Sequence, residues 1–254
     1  MTNLLPDLTN KNILITGATG GIGEDVCLFL NQLGANLILS ARNKDKLDAL
    51  LSKLKNAHGI LYDLECTHDE REERAESFVK EATTIANDQL DGLICISGMT
   101  CDKLSLKMSI NHWDKIINVN LTAVFLLNRL VSRTMLKKKS GSIINITSIV
   151  GHTGNVGQAN YAASKAGLTA MSKTFALEYA TSNIRNNCIA PGFIKTQMTD
   201  KIPEKIMHSL LEKIPMKKCG MPSDISPMIA FLLSDYAKYI TGQTFHINGG
   251  MYMG

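Results

Sequence analysis

Tyr161 and Lys165 stand four residues apart at the start of a segment with helical periodicity. That spacing places both side chains on one face of a helix. A free phenol has a pKa of about 10 and a lysine about 10.4, and a neighbouring ammonium favours the phenolate and lowers the tyrosine value. A tyrosine tuned in this way can give a proton to a ketone oxygen as hydride reaches the carbon. Ser148 lies just past an apolar run, in Asn145-Ile-Thr-Ser-Ile149, where its hydroxyl can hold a substrate carbonyl and stabilise the developing oxyanion. Asn120, in Asn118-Val-Asn-Leu121, falls inside a long helical pattern although asparagine is a poor helix former. A carboxamide there can hold a water that links Lys165 to solvent. Alone, a Y-x-x-x-K pair is weak, because a packed tyrosine and a surface lysine give the same pattern.

Such chemistry needs a hydride carrier, and the N-terminal region offers a place for one. The first apolar run, Asn12-Ile-Leu-Ile-Thr16, leads into Thr16-Gly-Ala-Thr-Gly-Gly-Ile-Gly23 and then a helical pattern to Leu33. Gly17, Gly21 and Gly23 keep the spacing G-x-x-x-G-x-G. Glycine permits a tight turn and close backbone approach to a pyrophosphate, and the helix start offers unpaired N–H groups and a positive dipole end. A glycine-rich turn without a ligand is the plain alternative, but strand, turn and helix in this order are what a dinucleotide site requires. The second strand ends in Ser40-Ala41-Arg42. It lacks the acid that usually binds the ribose 2′-hydroxyl of NAD, and Arg42 can instead pair with a 2′-phosphate. Asp63, after the third strand, is placed either to touch the adenine or merely to start a loop.

The elements that must position these groups alternate along the chain. Strands are expected at residues 12–16, 36–40, 60–62, 93–96, 142–146, 185–190 and 244–247. Helices are expected at 21–33, 44–55, 68–86, 111–138, 161–180, 204–213 and 223–233. The β-α-β-α order implies an α/β fold: a doubly wound, mostly parallel sheet of about seven strands with helices on both faces. Residues 1–254 read as a single NADP-binding Rossmann-type domain without repeats or linkers. Residues 192–222 are the least regular and read as a substrate flap, since long loops in compact domains are usually functional.

Bulk properties narrow the class. Hydrophobic residues make up 44% and charged residues 20%, as in a globular enzyme rather than a disordered chain. A net charge of +4 is too small to imply nucleic acid. The six cysteines form no CxxC pair and match neither a zinc site nor a disulfide framework, so no metal is expected and a reducing compartment is. Residues 1–10 have no signal-peptide pattern, and no apolar run reaches the roughly 18 residues of a membrane helix. A cytoplasmic location off the membrane is expected.

Taken together, Thr16 to Gly23, Asn120, Ser148, Tyr161 with Lys165, and Pro191-Gly192 resemble the short-chain dehydrogenase/reductase family over essentially the whole chain. The segments from Asn155 to Gly167, Ala190 to Thr199 and Tyr239 to Met253 are similar to the 3-oxoacyl-[acyl-carrier-protein] reductases. The resemblance implies NADPH-dependent reduction of a 3-oxoacyl thioester on acyl carrier protein to the 3-hydroxyacyl form, in fatty acid elongation. It implies a homotetramer paired through residues 111–138 and 161–180. Position by position, it assigns Asn120, Ser148, Tyr161 and Lys165 to catalysis. NADPH contacts fall on Gly17, Thr19, Gly21, Ile22, Gly23, Arg42, Asp63, Leu64, Gly98, Tyr161, Lys165, Pro191, Gly192, Ile194 and Thr196.

Departures from the family pattern are local. Cys95-Ile-Ser-Gly98 replaces Asn-Asn-Ala-Gly, which puts the hydrogen bonding after the fourth strand in question. Gly20 stands where many relatives carry an arginine, leaving Arg42 as the main phosphate partner. Ser182 replaces a carrier-docking arginine of some relatives, and Asn186 occupies a strand position that is usually apolar. The run from Lys137 to Lys139 can dock an acidic carrier or simply favour a helix C-terminus. Two other readings stand beside the carrier-linked reductase: a short-chain alcohol dehydrogenase acting on a free carbonyl compound, and a catalytically idle NADP-binding protein. The latter needs none of the four catalytic side chains.

Overall fold

The computed structural model describes residues 6–67, 69–196 and 204–254. Seven parallel strands run in the order β3-β2-β1-β4-β5-β6-β7: β1 (Asn12–Thr16), β2 (Asn36–Ala41), β3 (Ala57–Leu61), β4 (Gly92–Cys95), β5 (Gly141–Ile146), β6 (Ile184–Pro191) and β7 (Thr244–Ile247). The chain reverses its direction of travel across the sheet between β1 and β4, and ligands of open parallel sheets bind at that switch point, beyond the C-terminal strand ends.

Alternation along each strand divides the core in two. Leu14, Ile38, Leu93 and Ile143 are in register with one another across four strands and share one face. Beneath them pack α3 (Arg71–Ile85), α5 (Ala123–Lys138) and α7 (Ala159–Tyr179). Ile13, Ile15, Leu37, Leu39, Ile94 and Ile144 face the other way, onto α1 (Gly21–Gln32), α2 (Lys44–Leu51) and α9 (Ser226–Leu233). Apolar strands covered on both faces are the mark of a parallel sheet.

Several expected boundaries move: the third strand begins at Ala57 rather than at residue 60, and the last helix at Ser226 rather than at 223. The helix expected from residue 44 to 55 ends at Leu51, because Asn31 of α1 holds both the N–H and the C=O of Lys55 and so stops the turn. The helix expected from 68 starts at Arg71; His68 lies outside the described residues. The long helix at 111–138 is α4 (Ile110–Ile117), a π-helical turn (Asn118–Thr122) and α5. A single π turn is an irregularity frequent at functional sites, and this one carries Asn120.

Asn186, unexpected in a strand, is fully accounted for. Its Nδ2 donates to Asn128 Oδ1 of α5 at 2.9 Å, and its Oδ1 accepts from Asn145 Nδ2 of β5 at 3.2 Å. Asn145 also donates to Asn128 Oδ1 and to Ser172 Oγ of α7, and Asn128 donates back to Asn145 Oδ1. All three amides are at most 1% exposed. The cluster joins two strands and two helices with its polar atoms satisfied, which is the condition under which buried amides are tolerated.

Candidate active site

Every candidate sits at the C-terminal edge of the sheet. The turn after β1 needs its glycines for space: a methyl group on Gly23 would lie 2.1 Å from Gly17 O, and one on Gly17, whose φ is +72°, 2.7 Å from Ser97 N. The cap residue of α1 is Gly20, which has no side chain to cap the first N–H groups of that helix. Gly21 is overlaid by Thr196, whose Cγ2 would be 2.7 Å from an added methyl. Ala18 N–H donates to Ser40 O, which brings the end of β2, and with it Arg42, alongside the turn. Arg42 is exposed and makes no ion pair among the described residues. A Gly-lined cradle, open helix N–H groups and an exposed guanidinium fit the pyrophosphate and ribose end of a nicotinamide dinucleotide. Leu64 is buried, and Asp63 accepts from Glu65 N–H at 3.0 Å, an ordinary loop-start contact.

Cys95-Ile96-Ser97-Gly98 keeps the strand end ordered by other means than a pair of asparagines. Cys95 Sγ accepts from Asn128 Nδ2 at 3.7 Å, Ile96 packs against the core, and Ser97 backs Gly17. Gly98 faces the reaction centre: a methyl there would lie 3.4 Å from Lys165 Nζ and 3.6 Å from Asn120 Oδ1.

Lys165, Asn120 and Ser148 are buried, whereas Tyr161 keeps part of its surface open. Lys165 Nζ donates to Ile146 O at 2.8 Å and lies 5.8 Å from the centre of the Tyr161 ring. Burial drives the Lys165 ammonium down to about 8, partly opposed by Cys188 and Cys95. The tyrosine runs opposite to the expectation. Burial raises the Tyr161 phenol, a hydrogen bond with Ser148 opposes that, and Asp102 adds to it. The phenol is therefore held protonated, as a proton donor must be. Ser148 Oγ also accepts from Val150 N–H at 3.2 Å, at the start of the short helix α6 (Val150–Thr153).

Asn120 is also differently employed. Its Nδ2 donates to Met99 O at 2.9 Å and to Ser164 Oγ at 3.3 Å, and its Oδ1 accepts from Met99 N–H at 2.9 Å. Both amide hydrogens are committed to the protein, so holding a water falls to the remaining lone pair of Oδ1. Met99 and Ser164 escaped the sequence reading because their roles arise from pairing across 21 and 44 residues.

Residues 17–252 match the family model described as enoyl-(acyl carrier protein) reductase. The chain belongs to the short-chain dehydrogenase/reductase family. It is 46% identical to a 3-oxoacyl-[acyl-carrier-protein] reductase of Rickettsia felis over 247 residues, 97% of this chain and 99% of the relative. Proteins of the same name from Staphylococcus epidermidis and Thermotoga maritima are each 42% identical over 96% of the chain, covering 100% and 98% of their own lengths. Membership of this family means an oxidoreductase that uses a nicotinamide cofactor.

The flap expected at 192–222 is clipped at both ends. Ile194 bridges to Gly220, Lys195 N–H donates to Gly220 O, and Gly220 N–H donates to Phe193 O. Between them runs α8 (Glu204–Lys213); residues 197–203 lie outside the described part. Of the lysine run, Lys138 pairs with Asp91 at 2.6 Å, while Lys137 and Lys139 are exposed. A cleft of about 570 Å³ opens at the opposite edge of the sheet, but its Arg185 is turned to Leu232 O, Ser234 O and Ile240 O. That guanidinium closes the end of α9. No described helix is long and apolar enough to cross a membrane.

Proposed function

We propose that the protein uses NADPH to reduce 3-oxoacyl groups on acyl carrier protein to 3-hydroxyacyl groups in fatty acid elongation. What carries this reading is that Asn120, Ser148, Tyr161 and Lys165 converge beside the phosphate turn in a chain 42–46% identical to full-length relatives of that name. The bound cofactor supplies hydride to the substrate C3. Ser148 hydroxyl donates to the C3 oxygen and holds it beside Tyr161. The Tyr161 phenol gives its proton to that oxygen as negative charge builds there. The buried Lys165 ammonium, fixed by Ile146 O, stabilises the phenolate that remains until a solvent proton replaces the one given up.

NADPH rather than NADH follows from the missing acid at the end of β2 and from Arg42 beside the turn. The flap from 192 to 222 covers the substrate, with Ile194 and Thr196 on the nicotinamide side. Exposed Lys137 and Lys139 form part of the carrier's dock. The exposed faces of α5 and α7, with Phe125 and Leu177, pair subunits into a homotetramer in the cytoplasm.

The family model's description names reduction of an enoyl group, the relatives' names that of a 3-oxoacyl group. Incubation with NADPH and either a 3-oxoacyl or an enoyl carrier thioester, with the products identified, separates them. A 3-hydroxyacyl product supports the proposal. A saturated acyl product, or no oxidation of NADPH by the 3-oxoacyl thioester, overturns it.

A further inference from the structure

Asn160 stands next to Tyr161 and is 0% exposed, a rare state for asparagine. Its Oδ1 accepts from Tyr161 N–H at 2.8 Å. That N–H lies in the first turn of α7, where backbone donors lack helical partners, and the cap residue Gln158 lends no side chain. The two hydrogens of Nδ2 go to Cys101 O at 3.2 Å and His112 O at 3.1 Å. One carboxamide thus joins the start of α7 to the segment 98–103 and to α4.

Both partners lead back to Asn120. The segment 98–103 is gripped by Asn120 through the N–H and C=O of Met99. It is tied again to the approach to α7 by Lys103 N–H to Gly157 O and by Gln158 Nε2 to Asp102. His112 lies in α4, which runs directly into the π turn that carries Asn120. The backbone of Tyr161 is also tied to Asn120 through Ser164, which donates to Tyr161 O and accepts from Asn120 Nδ2.

We propose that Asn160 is a positioning residue for the proton transfer, fixing the start of α7 so that the Tyr161 phenol stands in register with Asn120, Ser148 and Lys165. The proposal rests on Tyr161 as the proton donor. Displacement of a reacting group by about 1 Å can cost about a hundredfold in rate. Asn160→Asp keeps the acceptor for Tyr161 N–H but sets a carboxylate against the carbonyls of Cys101 and His112. Asn160→Ser keeps a small hydroxyl and puts no charge there, which guards against a variant that fails to fold.

The test compares both variants with the parent and with Tyr161→Phe, counting folded sites by NADPH binding. Expected is a fall in kcat of about ten- to a hundredfold per folded site. The Michaelis constant for NADPH should stay within about threefold, and the pH profile of kcat should be displaced because the phenol has moved relative to Lys165. A structural role alone would reduce the number of folded sites and leave kcat per site and its pH profile alone. If Asn160→Ser keeps kcat per site within about twofold with an unmoved profile while Tyr161→Phe is inactive, the proposal falls and the donor stands. If Tyr161→Phe stays active, the donor assignment falls and the proposal with it.

Discussion

The two ends of the site are built in opposite ways. Around the carbonyl, Asn120, Ser148 and Lys165 are buried and tied to backbone or neighbouring side chains. At the cofactor's outer edge, Arg42 is exposed and unpaired among the described residues, and Gly20 adds no side chain. A proton must be held at one pKa and one place, which requires burial and fixed partners. On the proposed reading, a phosphate already carries its charge, so one accessible guanidinium would suffice to choose it. Damage at the buried end should therefore appear in turnover, and damage at the open end in affinity.

The hardest test of that contrast is Tyr161→Phe. It should bind NADPH as the parent does and lose about 10²–10⁴-fold in kcat, the worth of a positioned general acid. Single-turnover reduction measures it; a variant keeping more than about a tenth of the rate would end the role of Tyr161. Arg42→Ala should do the reverse. Hydrogen bonds to charged groups contribute about 1.5–3 kcal/mol, or about ten- to a hundredfold in affinity. Cofactor titration should show that loss for NADPH, with NADH little changed. Equal losses for both would mean that Arg42 supports the fold.

Lys165 links chemistry to stability. Below pH 8 its ammonium is protonated in both folded and unfolded chains, and the cost of burying it is fully present. Between about 8 and the ordinary lysine value of 10.5 the folded chain loses the proton first, so this cost is relieved as pH rises. kcat/KM should fall about tenfold per pH unit above 8, while the stability deficit of the parent relative to Lys165→Met shrinks. Unfolding of both proteins at pH 7 and pH 10 measures the second effect. A deficit that does not change would show that burial does not depress Lys165. The smallest effect is expected from Asn186→Val, whose amide bonds to Asn128 and Asn145 rather than to the four catalytic side chains. It opens the amide cluster at a cost of about 1–3 kcal/mol, lowering the unfolding temperature by a few degrees with kcat unchanged. A reduced kcat would tie the cluster to the reaction and blur the contrast.

Local pattern determined a good deal. Alternating apolar runs specified the parallel sheet, because two-sided burial of a strand is written in its own residues. The glycine spacing from Gly17 to Gly23 and the helical spacing of Tyr161 and Lys165 placed the phosphate turn and one wall of the site, since each depends on neighbours within a turn or two. The end of α2 at Leu51 was not legible, because Asn31 of another helix imposes it. Nor was the π turn at Asn118–Thr122, which a sequence with helical periodicity does not announce.

Tertiary structure alone decided the electrostatics. The tyrosine shift changes sign because burial, which no spacing reveals, outweighs the hydrogen bond with Ser148. Asn186 looked misplaced until Asn128, 58 residues away, supplied its partner. Asn120 meets Met99 and Ser164 only once β4, the π turn and α7 are packed together. The sequence by itself proposed the reacting groups, through helical spacing for Tyr161 and Lys165 and through the family resemblance for the full set. The folded chain decided their protonation and their partners, because desolvation and hydrogen bonding depend on residues that are distant along the chain and adjacent in space.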